Sequence, residues 1–288
     1  MPAKIASFRV ADDPGASAPD QLVLMASCFG DPSNRPVLLA HGGGQTRHSW
    51  QRSAAQLATA GMYAIAYDQR GHGDSGWSPS QRYCVDAFAD DLAAIANSLD
   101  RPPIVIGASL GGLAALLASR FTDFAALVLV DITPRQSPEG VSRIVNFMLE
   151  NAVDGFESLD HAADAVASYQ PHRARRSSVE GLKKNLRLGP DQRWRWHWDP
   201  MLFNESSGLR DAQRSSSLAQ CAEALTIPTM LVRGSLSDLV TPETAAEFLA
   251  LVPHAHYRDV SDAGHMVAGD NNDAFAAAVV AFVTTLPS

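Results

Sequence analysis

Short apolar runs alternate along this chain with longer stretches in which apolar positions recur at helical spacing. That alternation is the signature of strands and helices succeeding one another around a mostly parallel sheet. Strands are expected over residues 5–10, 21–27, 37–40, 63–67, 104–106, 126–130, 229–232 and 256–260, and helices over 49–60, 85–99, 110–119, 242–251 and 273–283. The first two strands read as an antiparallel hairpin, because the turn-rich residues 11–20 leave no room for a crossover helix. The later strands lack polar alternation and carry Val, Ile and Leu, as parallel strands buried on both faces do. The pattern breaks between Ile132 and Ala222, where the periodicity is helical, no strand stands out, and Arg, Ser and Trp are frequent. It resumes at IPTMLV, residues 227–232. The expected architecture is an α/β core in two portions, 1–131 and 223–288, with a helical cap, 132–222, inserted after the sixth strand.

Composition narrows the class without changing this picture. A chain of 288 residues, 46% hydrophobic, can bury a sizeable core. Its net charge of −8 argues against a nucleic-acid partner, which would select a basic surface. Cys28, Cys84 and Cys221 are scattered and odd in number, so no disulfide framework is expected and a reducing cytoplasm is the simplest location. The N-terminal MPAKIASFRV lacks the layout of a signal peptide. The most apolar stretch, 104–121, is interrupted by glycines, Ser109 and Arg120, and reads as strand, turn and helix rather than a membrane span. Neither a metal-ligand spacing such as HExxH nor a dinucleotide fingerprint is present, so no metal and no cofactor are expected.

The chemistry concentrates at the ends of the expected strands. In PIVIGASLGG, Gly107, Ser109 and Gly111 form a G-x-S-x-G between a buried strand and a helix rich in small residues. A serine on such a turn is exposed as a nucleophile, and the helix N-terminus behind it aims amides at a developing oxyanion. LLAHGGGQ likewise follows an apolar strand. Its glycines can approach a ligand closely, which makes Gly43, with Gly42 beside it, and Leu110 the expected oxyanion donors. His41, at the strand end, is expected to brace this loop. SDAGHMV places His265 in a turn after the last strand, as the candidate base. RGSLSDLVTPE places Asp238 in a turn before a helix, as the expected acid, with Asp131 at the end of ALVLVD the main alternative and Asp262 a further carboxylate near His265.

The motifs HGGG, YDQRGHGDSG, GASLGG, RGSLSDLVTP and DAGHM, in this order, resemble the α/β-hydrolase superfamily. The closer similarity is to its capped serine-hydrolase branch of esterases, enol-lactonases, carbon–carbon hydrolases and haloperoxidase-like enzymes. The resemblance covers roughly residues 20–131 and 225–288. It implies an eight-stranded, mostly parallel sheet flanked by helices, and a structural rather than catalytic role for Asp68, Arg70, His72 and Asp74. Epoxide hydrolases and haloalkane dehalogenases of this fold carry aspartate at the elbow, whereas Ser109 suits attack on a carbonyl.

These readings together predict a serine hydrolase, a carboxylesterase or lactonase, acting on a small-molecule ester or lactone. Carbon–carbon bond hydrolysis and haloperoxidase-like perhydrolysis are alternatives, and a slowly turning small-molecule receptor is the alternative of another class. RWRWHWDP in the insertion supplies Trp194, Trp196 and Trp198 as pocket or anchoring residues, with Phe147, Met148 and Phe203 as further candidates for the pocket lining. The arginines of PHRARR, residues 171–176, could face an acidic group or solvent.

Overall fold

The computed structural model describes residues 3–17, 20–169, 179–203 and 214–287. The chain opens with the antiparallel pair β1 (Lys4–Ala11) and β2 (Gln21–Phe29), followed by β3 (Arg35–Ala40), α1 (Gln51–Thr59), β4 (Met62–Tyr67) and α2 (Val85–Asn97). Then come β5 (Ile104–Ala108), α3 (Leu110–Ala118) and β6 (Ala126–Val130). An insertion follows, with α4 (Pro138–Glu150), α5 (Leu159–Tyr169) and the strands β7 (Leu186–Leu188) and β8 (Trp194–Trp196). The chain returns through α6 (Arg214–Glu223), β9 (Thr229–Gly234), α7 (Pro242–Leu251), β10 (His256–Val260), α8 (Val267–Asp270) and α9 (Asn272–Thr284).

The main sheet has eight strands in the order β1-β2-β4-β3-β5-β6-β9-β10. From β4 to β10 every neighbouring pair is parallel, while β2 meets β4 antiparallel. Successive side chains of each strand leave opposite faces, so the near-continuous apolar runs feed two cores. Val105, Leu127, Leu129 and Leu231 pack with α2, α3, α6 and α7 on one face. Ile104, Ile106, Val128, Val130 and Val232 pack with Trp50, Ala54 and Leu57 beside α1 and with Phe275, Val279 and Phe282 of α9 on the other. Removing each such side chain from water contributes roughly 1.5–3 kcal/mol.

Two expectations about the insertion need correction. β7 and β8 pair antiparallel, Leu186 with Trp196 and Leu188 with Trp194. Strands this short carry too few residues for a period to show in the sequence. The insertion also ends earlier than Ala222, because Leu218, Cys221 and Ala222 of α6 are buried in the main core against α3 and α7. Among the described residues, no helix is long and apolar enough to cross a membrane. Residues 172–176 lie outside the described residues.

Candidate active site

Ser109 sits between β5 and α3 with φ 47° and ψ −117°, a strained positive-φ conformation for a residue with a side chain. It occupies the N-cap position of α3, yet its hydroxyl caps no backbone amide, so Oγ stays available. The turn closes tightly because its neighbours lack side chains. A methyl group on Gly107 would lie 2.5 Å from the Gly111 carbonyl oxygen, and one on Gly111 would lie 2.5 Å from that of Ala40. The second approach brings the first turn of α3 against the end of β3, where the glycine loop begins.

That loop, His41 to Gly44, lies beside the serine: a methyl on Gly42 would come within 3.3 Å of Ser109 Cβ. Its amides are differently employed. Gly42 N–H donates to Gln45 Oε1 at 3.1 Å, and Gly44 N–H donates to His72 Nε2 at 3.0 Å. The Gly43 and Leu110 amides have no partner among the described residues. A methyl on Gly43 would lie 3.7 Å from Leu110 Cδ2, so the two residues adjoin. The geometry therefore retains Gly43 and Leu110 as candidate oxyanion donors and removes Gly42, whose donor is already spent within the loop.

Two buried histidines hold this loop in place. His41 accepts from the Gln69 amide at Nε2, 3.1 Å, which leaves its Nδ1–H to donate to the Gly42 carbonyl at 2.8 Å. His72 accepts from Gly44 at Nε2, so its Nδ1–H donates to the Arg70 carbonyl at 2.9 Å. Burial disfavours charge on both rings, pushing His41 down to about 4 and His72 to about 3. As neutral rings they act as fixed donor–acceptor struts, which agrees with the bracing role expected for His41. The charged side chains of the DQRGHGDS segment are likewise engaged, with partners outside the segment as well as within it. Arg70 binds Asp91 with two contacts of 2.7 Å, and Asp68 pairs with Arg47 and accepts from the Asp74 amide.

The carboxylate that meets His265 differs from the sequence expectation. His265 Nδ1 lies 2.7 Å from Asp131 Oδ2, with Asp131 fully buried and His265 mostly so. Asp131 follows β6 directly, with φ 50°, and adjoins the serine's strand, since Ser109 N–H donates to the Val130 carbonyl. Asp238 instead pairs with Arg143 of α4 at 2.9 Å, both side chains about half-exposed. Asp262 is exposed and does not meet His265; its amide donates to Ser235 Oγ. The turn after β9 contributes donors rather than the carboxylate. Gly234 N–H reaches Asp131 Oδ1 at 3.0 Å, and Ser237 Oγ reaches Oδ2 at 2.5 Å. Ser237 does not stand out in the sequence, because a serine in a polar turn carries no signal of its own. Its place beside Asp238, in the turn singled out for the acid, was the only pointer.

The insertion closes over the glycine loop. A methyl on Gly44 would meet Met148 Cε at 2.4 Å and Trp198 Nε1 at 3.6 Å, and one on Gly43 would meet Phe203 Cζ at 3.5 Å. Trp198 and Phe203 pack edge to face at 5.2 Å. The tryptophans divide by role. Trp194 packs with Phe156 and Leu182 in a small core within the insertion, and Trp196 links that core to Phe147. Trp198 alone of the three stands at the loop, where its backbone bridges His72. Two further bonds dock this segment on the 68–76 loop: Gly73 N–H donates to the His197 carbonyl and Asp199 N–H to that of Gly71. Phe147 stacks on Tyr169 at 4.2 Å and sits in the apolar cluster that includes Met148.

Comparison with known proteins places these features in a family setting. The model of the alpha/beta hydrolase family matches residues 37–278. The esterase Rv0045c of Mycobacterium tuberculosis is 32% identical over 81% of this chain and 78% of its own length. The 3-hydroxybutyrate-oligomer hydrolase of Cupriavidus necator is 28% identical over 82% of this chain and 85% of its own. The crystal structure of E-2-(acetamidomethylene)succinate hydrolase superposes with a TM-score of 0.80 at 23% identity, covering 98% of this chain and all of that one, a likeness of fold.

Proposed function

Because the chain belongs to the alpha/beta hydrolase family, we propose that it cleaves a carboxylic ester or lactone through an acyl-enzyme, with Ser109 as nucleophile, His265 as base and Asp131 as acid. The observation that carries this reading is the 2.7 Å bond between His265 Nδ1 and Asp131 Oδ2. It fixes the neutral tautomer in which Nδ1 holds the proton and Nε2 is free to accept one. In the proposed sequence, Ser109 Oγ attacks the carbonyl carbon while Nε2 takes its proton, and the Gly43 and Leu110 amides receive the oxyanion. The tetrahedral intermediate collapses, the alcohol leaves with the proton from His265, and a water activated by the same nitrogen then releases the acid.

Met148, Trp198 and Phe203 form an apolar wall at the glycine loop, which suits an uncharged group beside the scissile carbonyl. The insertion then serves as a cap, and the partner of the site is a small-molecule ester. The esterase among the relatives supports ester cleavage over the carbon–carbon alternative. The test is a steady-state screen of p-nitrophenyl esters of increasing acyl length, aryl esters and lactones, with Ser109→Ala as control. Turnover should fall by at least about a thousandfold in that variant while the fold persists. Near-parental activity in Ser109→Ala would sink the assignment. A folded protein labelled at Ser109 by a fluorophosphonate, yet inert toward every ester, would transfer the reading to a carbon–carbon hydrolase or a receptor.

A further inference from the structure

The turn that follows β9 reaches toward the acid from a neighbouring strand, and its hydrogen bonds are arranged in one direction. A serine hydroxyl has one proton to donate and two lone pairs to accept with. In Ser237, which is buried, Oγ accepts from the Leu239 amide at 3.2 Å and from the Val240 amide at 3.2 Å. Both acceptor positions are thereby taken, and the hydroxyl proton is left for the partner at 2.5 Å, Asp131 Oδ2. That oxygen is the one that meets His265 Nδ1, while Oδ1 is held by the Gly234 amide. The turn is itself anchored, because Ser237 N–H donates to the Gly234 carbonyl and Leu236 N–H to that of Ala263, two residues before the histidine.

We propose that Ser237 is a positioning residue for the Asp131–His265 pair: its directed hydroxyl sets the carboxylate's rotamer and shares the oxygen that orients the imidazole. The inference rests on the hydrolase reading only for its catalytic consequence. Asp131 leaves β6 in a left-handed backbone conformation, so regular strand geometry does not aim its side chain; the β9 turn does. The other charged groups around the pair are already engaged. Arg233 is bound to Asp259 and to the Val240 carbonyl, Asp238 to Arg143, and Asp270 accepts from the Gly264 amide. None of these bonds ends on Asp131 Oδ2, so among the described residues the Ser237 hydroxyl is the donor that shares that oxygen with His265.

The test compares Ser237→Ala with Ser237→Thr in the full-length protein, using two readouts. Removing the hydroxyl leaves more negative charge on Oδ2 for the imidazolium, so the acidic limb of the kcat/KM profile should move up by roughly half a pH unit. The looser carboxylate should lower kcat by about tenfold. Independently of turnover, the His265 imidazole followed by NMR in histidine-labelled protein should titrate at higher pH by the same shift. Ser237→Thr, which keeps the hydroxyl, should restore both. A folded Ser237→Ala with the limb and the His265 titration unmoved overturns the proposal, even if its melting temperature falls, because a merely structural turn would behave that way. If Ser237→Ala does not fold, Ser237→Cys, a weak donor, should show a shift in the same direction, and no shift there overturns the proposal. Absence of ester turnover in the parent protein would count against the hydrolase reading, while the NMR titration would still decide the role of Ser237.

Discussion

Two aspartates stand at the same edge of the sheet, and their surroundings separate them. Asp131 is buried and receives three donors, from Gly234, Ser237 and His265. Asp238 faces solvent and an arginine of the insertion. A buried carboxylate needs hydrogen bonds in place of its water, and Asp131 has them. Asp131→Asn should therefore reduce kcat by about three to four orders of magnitude, because the amide permits the wrong imidazole tautomer. Asp238→Asn should change kcat by less than about threefold, since it removes only a half-exposed ion pair. Ester hydrolysis by the two purified variants, measured at one pH on the plateau, distinguishes the assignments. An inactive Asp238→Asn beside an active Asp131→Asn would reverse them.

At the scale of elements, the elbow and the glycine loop form one unit because α3 starts in contact with the end of β3. Gly111 is the contact: a Cβ there would meet the carbonyl oxygens of Ala40 at 2.5 Å and His41 at 2.7 Å, both backbone atoms that cannot swing aside. Gly111→Ala should lower stability by roughly 1–3 kcal/mol and displace the loop from Ser109. Thermal melting and ester turnover should both fall, and unchanged values would show that the elements can separate freely. The glycines and the serine of this unit were legible because a strand-to-helix turn of this tightness leaves a spacing in the sequence. The insertion was less legible: β7 and β8 each have three residues, and their pairing depends on partners supplied by the fold.

Across the whole molecule, the glycine loop, the 68–76 loop and the insertion are coupled through His41 and His72. Both rings are buried and neutral, with the values of about 4 and about 3 lying below the ordinary histidine value. In the unfolded chain they accept a proton near pH 6.5. As pH falls from that point toward 4, the unfolded state binds protons that the folded state does not, so stability declines over this window. Above pH 6.5 both states are neutral and these groups add no slope. The denaturant midpoint should drop between pH 6.5 and 4, and His72→Gln should flatten that dependence. A variant with the parental slope would show that His72 carries none of the acid sensitivity.

The alternation of apolar runs and helix-period segments was enough to specify the α/β class, the antiparallel opening hairpin and the eight strands of the main sheet along the chain, because burial on two sheet faces imposes that pattern on each segment separately. The same local logic marked Ser109, the glycine loop and His265, which lie in turns whose backbone demands particular residues. Which of Asp131 and Asp238 meets His265, the employment of each loop amide, the place of Trp198 at Gly44 and the bond from Ser237 to Asp131 were decided by tertiary structure. Each depends on which side chains meet across strands far apart in the chain, and one-dimensional spacing does not encode a hydrogen bond between residues 131 and 265.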